Sequence, residues 1–482
     1  MAYESQLKSD RAQWHRRLSA TIQESEPDSV EENAALIAEH LEAAGELRAA
    51  YGWHMRASAW SANRDLGAAR LSWERARRIA DRLPADDPDQ LSMRIAARTM
   101  LCATDWQERA VQESRGRFAE LRELCDAAGD KVSLAIAMSG PTIELLYAGC
   151  AREASRQASE QMALLESIGD PTLTMGLAFL AFVTWCEAGE FGELLRWTQT
   201  VIDLAAGDPA RGAGFGFGSP LAAALACRGI ARWWLGRPGW RQDSHDAVAM
   251  ARRSDHPAAV AVVLTWTYGA PIPYGVLRAD DFAVLACEEA VQIAEASSDE
   301  IALILAEYGL AGALLCRDAA ADRFRGLELI MQIRDTVLRK QVALQARPVI
   351  ELWAGRERAR RDGDAAIPVM RKAVDELHQT GRLFYGVWGT GVLVEALLER
   401  GTEGDMAEAQ EAIDWLANLP AEGAAMPEIT LLRLRALLAW ARGDDVTYRE
   451  LTSRYCEMAK SLGFEGHIAW ANAMTEAGNR QS

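Results

Sequence analysis

Lysine is almost absent from this chain. Lys8, Lys131, Lys340, Lys372 and Lys460 are the only five in 482 residues, so arginine supplies 47 of the 52 basic side chains. Against 69 acidic residues this leaves a formal charge of −17. Phosphate recognition needs local positive charge, so generic binding to nucleic acid or an anionic membrane is not expected. The arginine bias, together with heavy use of alanine, points to a high-GC bacterial gene and carries no information on fold.

Closely spaced cysteines are missing as well. The eight cysteines never approach nearer than the 23 positions between Cys102 and Cys125, and no C-x-x-C occurs. That excludes a disulfide scaffold and predicts buried, reduced thiols in a cytoplasmic protein. The first twenty residues are charged and contain no apolar core, so no signal peptide is expected. Residues Pro257 to Leu277 are uncharged and long enough to cross a bilayer. Three prolines and many alanines predict instead a buried helix followed by a proline-bent loop, with no membrane partner.

Strand signals are nearly absent too. Apolar residues recur at i, i+3, i+4 and i+7 almost throughout, as amphipathic helices require. Short Gly-Asp or Gly-Glu breaks interrupt them at 129, 169, 189, 207, 363, 404 and 443. Glycine ends one helix in the left-handed conformation and the acid starts the next. Length alone suggests about three domains at ~150 residues each, but so many equivalent stops predict an array of helical hairpins.

The hairpins share a small-bulky-small pattern after the turn. Arg64 is followed by Ala69, Trp73 and Ala76; Arg278 by Ala283, Cys287 and Ala290; Gly404 by Ala409, Ile413 and Leu416, with Pro420 closing the unit. Trp53 and Trp60 take the large positions of the helix before the first turn. Small residues allow close helix crossing and the bulky one fills the adjacent hole. Turns are expected near 149, 189, 236, 278, 317, 363, 404 and 443, about 42 residues apart against ~34 in a strict tetratricopeptide repeat. A further turn is expected near Thr104-Asp105-Trp106. The expected fold is all-α: a right-handed superhelix (α-solenoid) of about ten hairpins over residues 45–482, preceded by junction helices over 1–44. Residues 318–339 match the pattern poorly, and the loops at 207–220 and 269–275 depart from it.

Catalytic motifs are lacking. Gly212, Gly214, Gly216 and Gly218 alternate with other residues, but no strand precedes them and no Walker lysine follows. The seven histidines form no H-E-x-x-H, and there is no G-x-S-x-G. His54 is a candidate for the inner face of the first hairpin, with plain packing the simpler reading. The basic opening helix, Lys8 to Arg17, is followed at once by Glu24, Glu26 and Asp28, and reads as a solvated linker. No enzyme activity, metal or cofactor is expected.

The positive signal is the inner surface. Counting back two, three, six and ten positions from each turn selects Leu146, Tyr147, Trp233, Trp234, Tyr268, Trp353, Arg360 and Arg361. The stretch 212–276 adds Phe215, Phe217, Trp266 and Tyr274. Adjacent Trp233 and Trp234 point ~100° apart on a helix, so both are not expected in one core. Aromatics beside arginine suit a groove for a protein partner or a small ligand, bound chiefly by apolar stacking. The alternative is that these aromatics only wedge irregular hairpins together.

Two terminal segments add a resemblance. Ala2-Tyr3-Glu4-Ser5-Gln6-Leu7, His15 to Leu18 and Ala35 to Gly45 resemble the start of the tetratricopeptide region in bacterial class III adenylate cyclases and LuxR-type regulators with a STAND-type ATPase. Leu462 to Trp470 resembles the extreme C-terminus of the cyclase group. The resemblance implies a sensor module in signalling or transcriptional regulation, with a separate ATPase or cyclase module as partner. It equally allows a truncated or split regulator. The family's Walker lysine and cyclase aspartates have no counterpart here, so no catalytic role carries over.

Overall fold

The structure, a computed structural model, describes residues 8–25, 29–62, 64–105, 111–215, 218–297, 299–340, 343–419 and 423–481. Among these residues every regular element is helical, and the chain is an all-α array of tandem hairpins. It divides into two compact units, one of residues 1–144 with 163–168, the other of 145–162 with 169–482. Unit 1 carries α1 (Lys8–Ser25), α2 (Ala34–Ala43), α3 (Leu47–Ser61), α4 (Leu66–Arg82), α5 (Gln90–Ala103), α6 (Val111–Ala128) and α7 (Lys131–Ala137). The assignment changes within α8 (Ser139–Tyr147) and α9 (Ala151–Ile168). Unit 2 carries α10 (Pro171–Ala188), α11 (Phe191–Ala205), α12 (Pro220–Trp234), α13 (Trp240–Arg252), α14 (Pro257–Leu264), α15 (Asp281–Ser297) and α16 (Glu300–Leu315). It continues through α17 (Ala320–Lys340), α18 (Arg347–Ala359), α19 (Gly363–Gln379), α20 (Leu383–Arg400), α21 (Glu403–Ala417), α22 (Ala425–Ala441), α23 (Asp445–Leu462) and α24 (Glu465–Gln481).

The residues between helices explain the stops. Gly129, Gly169 and Gly443 take φ of 67°, 72° and 71°. The aspartates after them cap the next helix: Asp130 accepts from Ser133 N–H, Asp170 from Thr172 N–H and Asp444 from Thr447 N–H, at 2.8–3.1 Å. Two expected turns move. Gly363 and Gly404 lie inside the first turns of α19 and α21, capped by Asp362 and Thr402, and the left-handed glycine before α21 is Gly401. The expected turn at 104–106 begins at the Thr104 C-cap, while Trp106 and Pro420 lie outside the described residues.

All nine small-bulky-small residues are buried: Ala69, Trp73 and Ala76; Ala283, Cys287 and Ala290; Ala409, Ile413 and Leu416. Trp53 and Trp60 differ, being half-buried under the guanidinium groups of Arg56 and Arg64 at 3.9 and 4.6 Å. The expected boundary near residue 44 is not where the units divide. Ile37 and Leu41 of α2 pack with Ala50 and Ile79, so the first helices belong to the core of unit 1. The poorly matching stretch 318–339 forms the 21-residue α17. The uncharged segment from Pro257 is α14 continued by a π-helical turn over Thr265–Gly269, largely buried. A different helix, α10, is the one among the described residues long and apolar enough to cross a membrane, and 61% of it is buried in the protein.

Unit 2 departs from a simple stack. Nearest-neighbour contacts dominate, but α10 also packs on α20 and α12 on α22. Tyr274 Oη donates to Phe384 O at 2.9 Å, and Arg382 pairs with Glu187 at 2.8 Å. The start of α24 docks on the loop before α15: Glu465 N–H donates to Val276 O and His467 N–H to Gly275 O, at 3.0 and 2.9 Å. Arg241 adds a 2.8 Å ion pair to Glu465. The close approach needs glycine on both sides, since a Cβ on Gly466 would meet Gly275 Cα at 2.7 Å. Unit 2 therefore turns back on itself, and its hairpins do not bury their faces against neighbours alone.

Candidate functional site

That closure decides where the expected groove residues lie. Trp233 and Trp234 are 2% and 1% exposed, so both are core. The ~100° argument fails because α12 is covered on nearly every side, by α10, α11, α13, the π turn and α22. Phe191, Trp233, Trp234, Tyr274 and Phe384 form one aromatic cluster with ring centroids 4.4–6.3 Å apart. Tyr274 is buried within it, and Leu146 and Trp353 are buried elsewhere in the unit. None of these side chains forms an open groove wall. Trp266 is half-buried and stacks on Phe179 at 5.3 Å; Tyr268 is half-buried with its edge on Phe282. Tyr147 is half-buried, and burial pushes its hydroxyl up to about 12. Arg360 and Arg361 are exposed. Phe217 lies outside the described residues, and for Phe215 only the backbone, in a 3₁₀ turn, is described.

A second set of side chains combines two properties. Burial is the largest influence on the ionisation of Arg356, Glu395 and Arg433. Each nevertheless keeps accessible surface, 16% of the Arg433 side chain and 27% of Glu395. The same holds for Tyr308, Tyr385, Cys186 and Cys316, which are raised by burial and half-buried. These residues are neighbours in unit 2, each linked to others in the set through its ionisation.

The cluster has two parts. On one side Arg382 pairs with Glu187, donates to Gln345 O and lies 4.8 Å over the Tyr385 ring. Trp353 Nε1 donates to Tyr308 Oη at 3.2 Å, linking the two sides. On the other, Arg433 pairs with Glu395 at 2.7 Å and stacks on Trp470 at 4.5 Å. The positive neighbours Arg433, Arg356 and Arg360 overcome burial and hold the Glu395 carboxyl below its usual range. Glu357 is 3.2 Å from Arg360 and 3.4 Å from Arg323. Arg356 lies against the Cys316 thiol at 3.9 Å and 5.7 Å from the Trp353 ring.

The helix count missed Arg356 and Glu395 by a register error: six positions back from the Asp362 cap rather than Gly363 gives Arg356, and six back from Gly401 rather than Gly404 gives Glu395. Arg360 is already selected by the count, and Arg433, ten back from Gly443, lies within it but was passed over. Tyr308 and Cys316 belong to the α16 end, where no glycine marks the turn.

Unit 1 has a contrasting feature, a cleft of about 760 Å³ lined by Arg70, Glu74, Arg77, Arg98 and Glu120 among others. Its arginines are satisfied: Arg70 by Asp105 at 2.8 Å, Arg77 by Glu74, and Arg98 by Asp81 at 2.9 Å. His54 is a buried side chain whose basicity is lowered by that burial, 3.6 Å from Glu42. No cluster of three His, Cys, Asp or Glu able to hold a metal occurs among the described residues.

No family model matches the chain, and no curated protein is similar to it. Among solved structures it is similar to a circular tandem repeat protein with novel repeat topology and enhanced subunit contact surfaces. That likeness has 14% identity over 97% of this chain and 90% of the other, with a TM-score of 0.14. So low a score carries no argument about function.

Proposed function

We propose that this chain is a non-catalytic helical-repeat scaffold whose second unit binds a small ligand or a protein partner. On this reading it serves as a cytoplasmic sensor module in bacterial signalling or transcriptional regulation, acting on a separate ATPase or cyclase module. The resemblance of its terminal segments to class III adenylate cyclase and LuxR-type regulators supports that role. The observation that carries the reading is the cluster of Arg356, Glu395 and Arg433 with Tyr308, Tyr385 and Cys316, whose ionisation burial influences most although each side chain keeps accessible surface.

Thiol accessibility tests this reading. Cys316 is half-buried at the edge of the core cluster in which Cys287 is buried. Methyl methanethiosulfonate, read by peptide mass mapping, should modify Cys316 in the native protein and leave Cys287 untouched. Equal resistance of both thiols would show the cluster closed to a ligand and would overturn the reading.

A further inference from the structure

The cleft in unit 1 has no part in the reading above. At about 760 Å³ it has the size that holds a small organic molecule. Its lining is mostly charged: Arg70, Glu74 and Arg77 come from α4, Arg98 from α5, and Arg117 and Glu120 from α6. Asp105 ties two of these helices together. Its side chain is 2% exposed and takes Arg70 of α4 at 2.8 Å and Arg117 of α6 at 3.0 Å.

The arginines are all paired, but every acid is shared. Asp105 serves Arg70 and Arg117, and Glu74 serves Arg77 and Arg78. Asp81 serves Arg77, Arg94 and Arg98, and Glu120 serves Arg94 and Arg98. Among the described residues six arginines thus meet four acids, a local positive surplus in a chain of net −17. The surplus is felt at Glu74. A hydrogen bond from Arg77, aided by the charges of Arg78 and of Arg117 on α6, holds its carboxyl below the usual range against burial. The side chains of Glu74 and Glu120 are 35% and 44% exposed, and pairs of that kind contribute little to folding. An external oxyanion can therefore replace either one in the arginine forks, which fit a carboxylate or a phosphate through two parallel bonds. The lining is also open to solvent. Gly116 is exposed, a Cβ on it would meet nothing within 4 Å, and Leu71 is 67% exposed.

We propose that this cleft binds a small organic oxyanion, a carboxylate or a phosphate monoester, that joins the arginine network in exchange for Glu74 or Glu120 and covers Leu71 with its apolar body. A cation meets the surplus of like charge. An uncharged molecule cannot stand in for either carboxylate. A long polyanion meets the net negative charge of the whole chain.

Isothermal titration calorimetry of the full chain with benzoate, phenyl phosphate and benzyl alcohol tests this. At least one oxyanion should bind about tenfold or more tightly than the alcohol. Benzoate alone assigns a carboxylate, phenyl phosphate alone a phosphate, and both together the shared charge. Gly116→Leu puts a side chain into the open lining and should weaken oxyanion binding about tenfold or more. Gly52→Leu, at an exposed helical glycine of α3 outside the lining, should leave it unchanged. Glu74→Gln removes a competing carboxylate and should tighten binding, which keeps the test intact if Gly116→Leu does not fold. No heat with either oxyanion, or alcohol bound as well as oxyanion, would overturn the proposal. So would an affinity that Gly116→Leu leaves unchanged, that Gly52→Leu weakens equally, or that Glu74→Gln does not raise.

Discussion

Tyr274 and Phe384 are 110 positions apart in sequence, and the phenol of one donates to the main-chain carbonyl of the other at 2.9 Å. Both rings belong to the buried cluster that includes Trp233 and Trp234. A stack whose hairpins touch only their neighbours cannot make this contact. Tyr274→Phe keeps the ring and removes the hydrogen bond, so unit 2 should lose about 1 kcal/mol. Trp234→Ala removes a fully buried indole and should cost about 3–5 kcal/mol. Urea denaturation followed by far-ultraviolet circular dichroism measures both; a Trp234→Ala cost below that of Tyr274→Phe would contradict the core placement.

The buried pair Arg382 and Glu187 ties α20 to α10 with 2.8 Å geometry and little exposure. Removing one partner leaves the other charge uncompensated, at a cost of about 3–5 kcal/mol. Glu187→Gln and Arg382→Met are each expected to destabilise unit 2 by that order, and the double variant less than their sum. Additive losses in a double-mutant cycle would show the two side chains to be uncoupled.

Ala69 and Ala409 are fully buried at helix crossings. Glutamate at either position buries an unpaired charge and should cost several kcal/mol. The spread of the damage should differ. Ala69→Glu should loosen helices of unit 1, while Ala409→Glu should also loosen α10 and α12, which touch α20 and α22. Hydrogen exchange read by mass spectrometry checks this; loosening restricted to α20–α22 in Ala409→Glu would argue for plain nearest-neighbour stacking.

His467 is buried against Tyr455 at 2.7 Å, and burial, then the charge of Arg433, lowers its pKa from 6.5 to about 3. The unfolded chain therefore binds a proton that the folded chain refuses. This contribution is fully present above pH ~6.5 and is lost as pH falls from there toward about 3. His467→Gln should flatten the loss of thermal stability between pH 6.5 and 4.5. A variant with the same acid slope as the wild type would show that His467 does not set it.

Purified protein is expected neither to hydrolyse ATP nor to form cyclic AMP. No Walker lysine or cyclase aspartates are present to bind the nucleotide or its metal. Turnover that survives repurification and disappears on a single substitution would overturn the non-catalytic reading.

The local code was legible in the sequence and the long-range closure was not. Ala69, Trp73 and Ala76 announce a helix crossing because period and residue size are local properties. Asp130, Asp170 and Asp444 likewise announce caps. The burial of Trp233 and Trp234 depends on α22, some 200 positions away, which no periodicity encodes. Gly363-Asp364 and Gly404-Asp405 misled because glycine at a helix start looks like glycine at a helix end. That slip, of one residue at 363 and three at 404, moved the inward register off Arg356 and Glu395. Gly275 and Gly466 read as ordinary loop and helix-start glycines until their backbones are seen in contact.

The central claim is that unit 2 closes on itself. The backbone amide of His467 reports it directly. This amide is in the first turn of α24, where a helix leaves its donors without internal partners and exchange is fast. Here it donates instead to Gly275 O at 2.9 Å, across the closure. Amide exchange resolved at single residues should find His467 as slow as the core amides of α20. Exchange at the rate of a frayed helix start, with α20 still protected, would show that the unit is open.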